Sequence, residues 1–173
     1  MKRCRVTGMV KRAGGAALVE LAIVLSLLIT LFSGMVELGR ALYEYETLTK
    51  SARVAARYLS QYSPDDGNYS SSVKSAQCLA AYGSATLDST QTKCAGTLTP
   101  VAPGLSTSNV ACTQISSYPV YDKSNNDSTS SSPVGVVNFV EVKITGYNYS
   151  PIQSWFRLFG LTFGDISVVM RQS

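Results

Sequence analysis

The sequence predicts an α+β protein in which a long N-terminal α-helix packs, through its outer half, against a small antiparallel β-sheet head. Three observations predict this fold. Apolar residues follow helical spacing through roughly the first third of the chain. The composition then shifts after Pro64 towards Ser, Thr, Tyr, Asn and Gly. Two later segments, 140–145 and 165–170, alternate apolar with polar side chains as half-buried strands do.

The excess positive charge of the chain lies at its N-terminus. Residues 1–19 contain five of the 15 basic residues and no Asp or Glu, which leaves 10 basic and 11 acidic residues in the remainder. The formal charge of +4 therefore does not indicate a nucleic-acid-binding surface. Because basic residues accumulate on the cytoplasmic side of membrane helices, this leader predicts a cytoplasmic N-terminus followed by an exported region.

An apolar run follows the basic leader. Sixteen uncharged residues separate Glu20 from Glu37, and residues 16–19 extend the run to about the 20 residues that cross a bilayer as a helix. A cleaved secretory signal with its cut near residues 33–35 is the alternative, but no clear small-x-small pattern marks such a cut. We therefore expect a membrane helix over residues 16–38.

Glu20 lies inside this apolar run. A carboxylate costs about 2.5 to 3.5 kcal/mol at the centre of a bilayer and less near its surface. In one interpretation Glu20 marks the interfacial end of the span. In the other, an amine or amino terminus from a neighbouring subunit neutralises Glu20 inside an assembled structure.

Residues 39–62 are predicted to continue the same helix as an amphipathic segment, which Pro64 and the turn residues after it end. An apolar stripe with steps of three and four residues is expected to pack on the exported head. The stripe comprises Leu38, Ala41, Tyr45, Leu48, Ala52, Ala55 and Leu59. The charged residues predicted to lie off it are Glu44, Glu46, Lys50, Arg53 and Arg57.

The exported head is predicted to cover residues 63–173. A short helix at 70–82 is expected to start with a Ser N-cap and to stop at Gly83. The predicted strands are 110–115, 136–149 and 165–170, and the predicted loops are 84–108 and the low-complexity segment 124–133. The aromatic segment 151–163 is expected to seal one end of the core or, alternatively, to contact lipid or a partner.

Three cysteines fall in the exported part, where an oxidising compartment would allow two of them to pair. They are Cys78, Cys94 and Cys112, and three pairings are open. We favour Cys94 with Cys112, which would tie the long loop to the first strand and leave Cys78 as the odd residue.

Candidate catalytic chemistry is sparse. The chain has no histidine, which excludes histidine-based triads and histidine metal ligation. No CxxC spacing supports a zinc site, no glycine-rich phosphate loop follows a strand, and no motif fixes a Ser–Lys dyad. We therefore expect no enzyme activity, no metal and no cofactor.

The N-terminal region contains four motifs, which are Gly14-Gly15, Val19-Glu20-Leu21-Ala22, Glu37-Leu38-Gly39-Arg40 and the small-residue stretch from Ala52 to Arg57. In this combination they resemble the TadE-like family of pilus proteins. The resemblance implies a minor pilin or pseudopilin of the Tad (tight adherence) apparatus, a relative of the type IV pilus. Two positions depart from the pattern: Ala16 replaces a frequent Phe, and Ser26 replaces a helix-kinking Pro, so a straighter helix is expected.

The resemblance also implies the processing and the partners. A prepilin peptidase would cut between Gly15 and Ala16, which removes leader 1–15 and makes Glu20 the fifth residue of the mature chain. Glu20, with Val19 and Leu21 beside it, would then serve assembly by meeting the new amino group of a neighbouring Ala16. The implied partners are the peptidase, other pilin or pseudopilin subunits, the inner-membrane assembly platform and membrane lipid, without nucleic acid.

The implied location is the bacterial inner membrane, with a single pass, the N-terminus cytoplasmic and the head periplasmic or extracellular, and then the pilus itself. The expected role is assembly or priming of a pilus that mediates adherence and biofilm formation. Two alternatives stay open at this point. The head could be a pilus-associated adhesin or binding module, or the chain could be a plain signal-anchored envelope protein.

Overall fold

The computed structural model describes residues 14–65, 67–121, 133, 135–152 and 163–172. Its elements, in order, are α1 (Gly14–Leu59), α2 (Tyr69–Tyr82), a 3-10 turn (Thr107–Asn109), β1 (Val110–Val120), β2 (Gly135–Ile144) and β3 (Ile166–Arg171). The chain divides into two compact units, Met1–Gly39 and Arg40–Ser173, which are described separately below. A long apolar N-terminal helix and a small three-stranded antiparallel sheet confirm the predicted α+β class.

In the first unit, α1 is apolar and exposed. It is long and apolar enough to cross a membrane, and its large apolar side chains from Leu18 to Phe32 are all at least 43% exposed. The hydroxyl groups of Ser26 and Thr30 donate to carbonyl oxygens one turn earlier, at 2.8 Å each. Because these polar groups are satisfied within the helix, they add little to the cost of placing it in hydrocarbon.

In the second unit, the sheet has the order β1-β2-β3 with antiparallel pairing throughout. Central β2 presents Val140, Val142 and Ile144 to the core, each no more than 2% exposed, as their alternation predicts. β1 extends to Val120, five residues beyond the expected end at residue 115. The extension has no apolar alternation of its own, but after a bulge between Ile115 and Tyr118 it pairs with the start of β2.

Helix α2 contributes small side chains to the same core. Ala76, Ala80 and Ala81 are fully buried, so the helix lies close to its neighbours. It stops as predicted at Gly83, which adopts the left-handed conformation at φ 72° and donates its N–H to the Leu79 carbonyl at 2.9 Å. Its N-cap is Asn68, not the expected Ser, because the serines of the first turn already lie in the helix.

The outer part of α1 packs against the head through most of the predicted stripe and departs from it at Leu38 and Tyr45. Leu48, Ala52, Ala55 and Leu59 are fully buried, as expected. Tyr45 is 44% exposed and Leu38 51% exposed, whereas Glu44 is only 5% exposed, so the placement of Glu44 off the buried face was wrong. The physical reason is that Glu44 has a charged partner one turn earlier on α1 and a hydroxyl partner in the head.

Several expectations concern residues that the structure does not describe. They are leader residues 1–13, the low-complexity loop 124–133 apart from Pro133, and residues 153–162 of the aromatic segment. Phe163, at the end of that aromatic segment, is partly buried and packs against the core cluster.

The disulfide joins Cys78 to Cys94, and Cys112 is a free, partly buried thiol. The favoured pairing of Cys94 with Cys112 is therefore wrong. Residues 86–95 fold back on themselves: a bridge pairs Leu87 with Cys94, and the N–H of Ala95 bonds to the Thr86 carbonyl at 3.0 Å. This turn brings Cys94 to α2, whereas Cys112 stands within β1 opposite Val142.

We expect this pairing to be visible in the labelling of the oxidised protein. Alkylation under denaturing, non-reducing conditions should modify Cys112 and leave Cys78 and Cys94 unlabelled, because Cys78 and Cys94 are bonded to each other. Peptide mapping by mass spectrometry checks the assignment, with a fully reduced sample as control. A label on Cys78 with Cys112 protected would contradict the structure.

Candidate functional site

The first group of predicted site residues lies at the start of α1. Gly15, Ala16, Val19, Glu20 and Leu21 occupy its first two turns, and all five are exposed. No acidic residue stands in the first turn. A Cβ added to Gly15 would meet nothing within 4 Å, so nothing in the described part of the chain requires glycine there.

Glu20 is a lone carboxylate on this apolar surface. Val19 and Leu21 beside it are 61% and 60% exposed. The salt bridges among the described residues do not include Glu20. If this surface enters a membrane or an apolar bundle, the carboxylate needs a positive partner from outside the described chain.

The second group centres on Arg40, which opens the second unit. Arg40 Nη2 lies 3.0 Å from Glu44 Oε1, one helical turn later. The Glu44 side chain is 7% exposed and that of Arg40 27%. The pair is therefore largely shielded from water, and each charge depends on the other. Of the other two motif residues, Glu37 is buried and Gly39 exposed, with open space around an added Cβ.

Tyr147, which is 103 residues after Glu44 in the sequence, completes this arrangement. Its hydroxyl donates to Glu44 Oε2 at 2.9 Å and also lies 3.1 Å from the carbonyl oxygen of Pro103. Both carboxylate oxygens of Glu44 are thus occupied, one by the guanidinium and one by the phenol. We call these three residues the Arg40–Glu44–Tyr147 cluster. The cluster links α1 to two loops of the head, one containing Pro103 and the other Tyr147.

The position of Tyr147 changes its acidity. Burial raises its pKa most, and the hydrogen bond to Glu44 and the charge of that carboxylate raise it further, while the Arg40 charge opposes them. A phenolate next to the Glu44 carboxylate would place two negative charges together. Tyr147 therefore stays protonated and acts as a hydrogen-bond donor.

Aromatic rings surround the cluster. The Tyr147 and Phe163 rings are stacked, with centroids 5.7 Å apart and planes within 3° of each other. Phe163 also meets Tyr45 edge-on at 5.8 Å and Tyr149 at 5.6 Å. The Arg40 guanidinium lies 5.7 Å from the centre of the Tyr149 ring, within cation–π range. These rings exclude water and strengthen the charged contacts that they enclose.

The arrangement is suited to holding elements together. The cluster contains a paired carboxylate, a paired guanidinium and a protonated phenol, and none of these is an activated nucleophile. Across the described residues, no three His, Cys, Asp or Glu side chains gather as metal ligands. The chemistry of the site is therefore that of a structural connection between a helix and the domain packed on it.

Sequence patterns did not identify Glu44 and Tyr147 as members of the site. A signal for Glu44 was present, because it is spaced i,i+4 from Arg40 and lies about one turn from Ala41 and from Leu48 on the buried face. Tyr147 carries no comparable signal. It follows β2 by three residues, and only the folded chain shows which of the ten tyrosines reaches α1.

We expect Tyr147→Phe to lower the free energy of unfolding of the head by about 1.5 to 3 kcal/mol, the usual loss of a hydrogen bond to a charged group. The ring and its stacking stay, but one oxygen of the buried Glu44 carboxylate loses its donor. Urea unfolding of the full chain in detergent micelles, followed by near-ultraviolet circular dichroism, measures the change. Tyr118→Phe, at a ring that is 55% exposed, is the matched control. Equal stability of both variants would contradict the role of this contact.

The raised pKa of Tyr147 predicts a pH dependence. In the unfolded chain the phenol loses its proton near pH 10, whereas in the folded head it holds the proton to higher pH. Its contribution to stability is therefore complete below pH 10 and is lost as the pH rises through the folded-state pKa. Between pH 10 and about 12 the wild-type protein and Tyr118→Phe should lose stability more steeply than Tyr147→Phe. Parallel curves for all three proteins would show that Tyr147 does not titrate as proposed.

Comparison with known proteins finds a family model that overlaps the first of these groups and part of the second. Residues 15–57 match the family model described as TadE-like protein, which covers about a quarter of the chain. The match includes Gly15, Glu20, Arg40 and Glu44, but not Tyr147. No curated protein and no solved structure matches the chain. Over residues 15–57 the chain is therefore similar to TadE-like proteins, a family associated with the Tad pilus system.

Proposed function

We propose that the chain is a minor pilin or pseudopilin of the Tad pilus, processed by prepilin peptidase and used in assembly or priming of the fibre. The observation that carries the proposal is that the family match, residues 15–57, coincides with an apolar helix whose membrane-length part is exposed. The proposed organisation is a leader at 1–15, a membrane and assembly helix at 16–38, its amphipathic continuation at 39–62, and a head at 63–173.

The start of α1 supports processing between Gly15 and Ala16. This bond lies in the first turn of the helix, where the N–H groups have no partners one turn earlier and unwinding is least costly. Glycine at 15 fills no steric need among the described residues, which fits a requirement imposed by an enzyme that binds extended backbone closely. Removal of residues 1–15 also removes five positive charges that have served orientation.

Glu20 supports assembly through the helix. Processing creates an α-amino group on Ala16, and the same group on a neighbouring subunit is the positive partner that the exposed Glu20 lacks among the described residues. Two charges that are each costly in an apolar bundle compensate one another when they meet there. Other pilin subunits, the assembly platform of the inner membrane and membrane lipid are the proposed partners.

The disulfide supports the proposed orientation independently of charge. A bond between Cys78 and Cys94 is stable in the periplasm or outside the cell and not in the reducing cytosol. The basic leader favours a cytoplasmic N-terminus, so the two observations together support opposite compartments for the two ends of the helix. The cross-linked head also favours a minor subunit, because major Tad pilins are nearly all helix.

Processing is tested by the N-terminus of the mature protein. We expect mass spectrometry to find Ala16 as the first residue in cells that contain the prepilin peptidase, and Met1 in cells without it. An N-terminus near residue 34 would identify an ordinary secretory signal, and retained Met1 in both strains would identify a plain membrane anchor. Either result would contradict the proposal.

Assembly is tested by Glu20→Ala. We expect normal processing and strongly reduced incorporation into pili, because the amino group of the neighbouring subunit then has no carboxylate to meet. Pilus fractions probed with antibody measure incorporation. The matched control is Glu46→Ala, which removes a carboxylate from the same helix at a site that is 68% exposed and pairs only with Lys50. Normal piliation in the Glu20→Ala strain would sink the assembly role.

A further inference from the structure

The head contains an open groove of about 640 Å³ between α2 and the turn that carries Cys94. Its volume lies within the range of sites that bind small ligands, about 300 to 1,000 Å³. Its polar and aromatic lining includes Lys74, Gln77, Tyr82, Thr92, Lys93 and Thr97. All of them belong to the second unit, and none belongs to the Arg40–Glu44–Tyr147 cluster.

The charge of the groove is entirely positive. Lys74 and Lys93 contribute to the lining, and no Asp or Glu does. Neither ammonium group takes part in a salt bridge among the described residues, whereas Lys143, elsewhere in the head, is held by Asp165 at 2.9 Å. The head as a whole has nearly balanced charge, so two unpaired lysines in one concave surface are a local feature.

Asp88 is the acidic residue closest in sequence to Lys93, and its carboxylate is held by hydrogen bonds within its own turn. Asp88 accepts hydrogen bonds from the Thr90 hydroxyl at 2.6 Å, the Thr92 N–H at 2.9 Å and the Lys93 N–H at 3.2 Å. These bonds hold the pKa of Asp88 at about 2 and fix its carboxylate inside the turn. Asp88 therefore orders the backbone beneath Lys93 and leaves the ammonium group available.

The two walls of the groove are joined covalently. Cys78 lies one helical turn after Lys74 on α2, and Cys94 directly follows Lys93, so the disulfide connects the two segments that carry the lysines. Gln77 adds a further link, because its amide donates to the Val110 carbonyl at 3.1 Å. A site held in this way loses little conformational entropy when a ligand binds, which favours recognition by a few polar contacts.

The geometry points to a carboxylate-bearing oligosaccharide as the ligand, and we propose that the groove binds one. Two ammonium groups match the two carboxylates of a pair of uronic-acid units. The hydroxyl groups of Thr92 and Thr97 can exchange hydrogen bonds with sugar hydroxyls, and the Tyr82 ring offers an apolar face to the sugar C–H groups. This activity goes beyond assembly of the pilus and does not depend on it.

The test uses the full chain in a detergent without sugar groups and digalacturonate as the probe, with binding measured by isothermal titration calorimetry. We expect saturable binding that weakens as salt is raised. Lys74→Gln and Lys93→Gln should each weaken it at least about tenfold, the loss expected for one charge-assisted contact. Lys143→Gln, which removes the same charge outside the groove, should bind as the wild type does.

Four outcomes would overturn the proposal. They are no digalacturonate binding by the folded wild-type protein, wild-type affinity in both groove variants, binding of neutral galactobiose as tight as that of digalacturonate, and equally effective competition by tetraglutamate. The last would assign the groove to acidic peptides. Near-ultraviolet circular dichroism of each variant confirms a folded head before titration, and each lysine is polar and lies at the surface of the groove, so glutamine is expected to be tolerated.

Discussion

The head depends on how the carboxylate of Glu44 is satisfied. This group is almost fully buried, and a buried charge without partners costs several kcal/mol. Arg40 neutralises one oxygen and the Tyr147 hydroxyl donates to the other, while the Pro103 carbonyl lies near the same hydroxyl. Helix α1 supplies only the first of these partners, so the loop that carries Tyr147 has to reach α1 before the carboxylate is fully satisfied. Burial of Leu48 and the apolar residues near it also stabilises the packing of α1 on the head. Apolar packing tolerates more than one alignment of the helix, whereas the Glu44 contact requires one.

The elements that were predictable from sequence are those with a local signal. The spacing of small and apolar residues along α1, the alternation in β2 and the glycine stop of α2 each arise from neighbouring residues. Glu44 and Tyr45 exchanged their expected roles because a charge enters the core only when distant partners exist, and local polarity cannot report them. The second half of β1 is likewise held by its pairing with β2, not by its own pattern.

The disulfide pairing is another feature that local sequence patterns do not determine. Three thiols allow three pairings, and sequence distance does not choose among them. The choice is made by the turn at residues 86–95, whose Asp88 side chain caps three donors and so turns the chain back towards α2. One short polar turn thus decides the disulfide, leaves Cys112 free, and fixes the two walls of the lysine-lined groove.

The family match covers most of α1 and leaves the head outside it. It ends at residue 57, close to the last buried residue of α1, Leu59, and so includes the helix side of the head contact. It excludes Tyr147, Val142 and every residue of the groove. A helix of this kind requires two features of the domain packed on it, which are an apolar sheet face and a hydrogen-bond donor for the buried glutamate. Heads of different sequence can meet both requirements, so the proposed assembly surface and the proposed binding groove can change independently of one another.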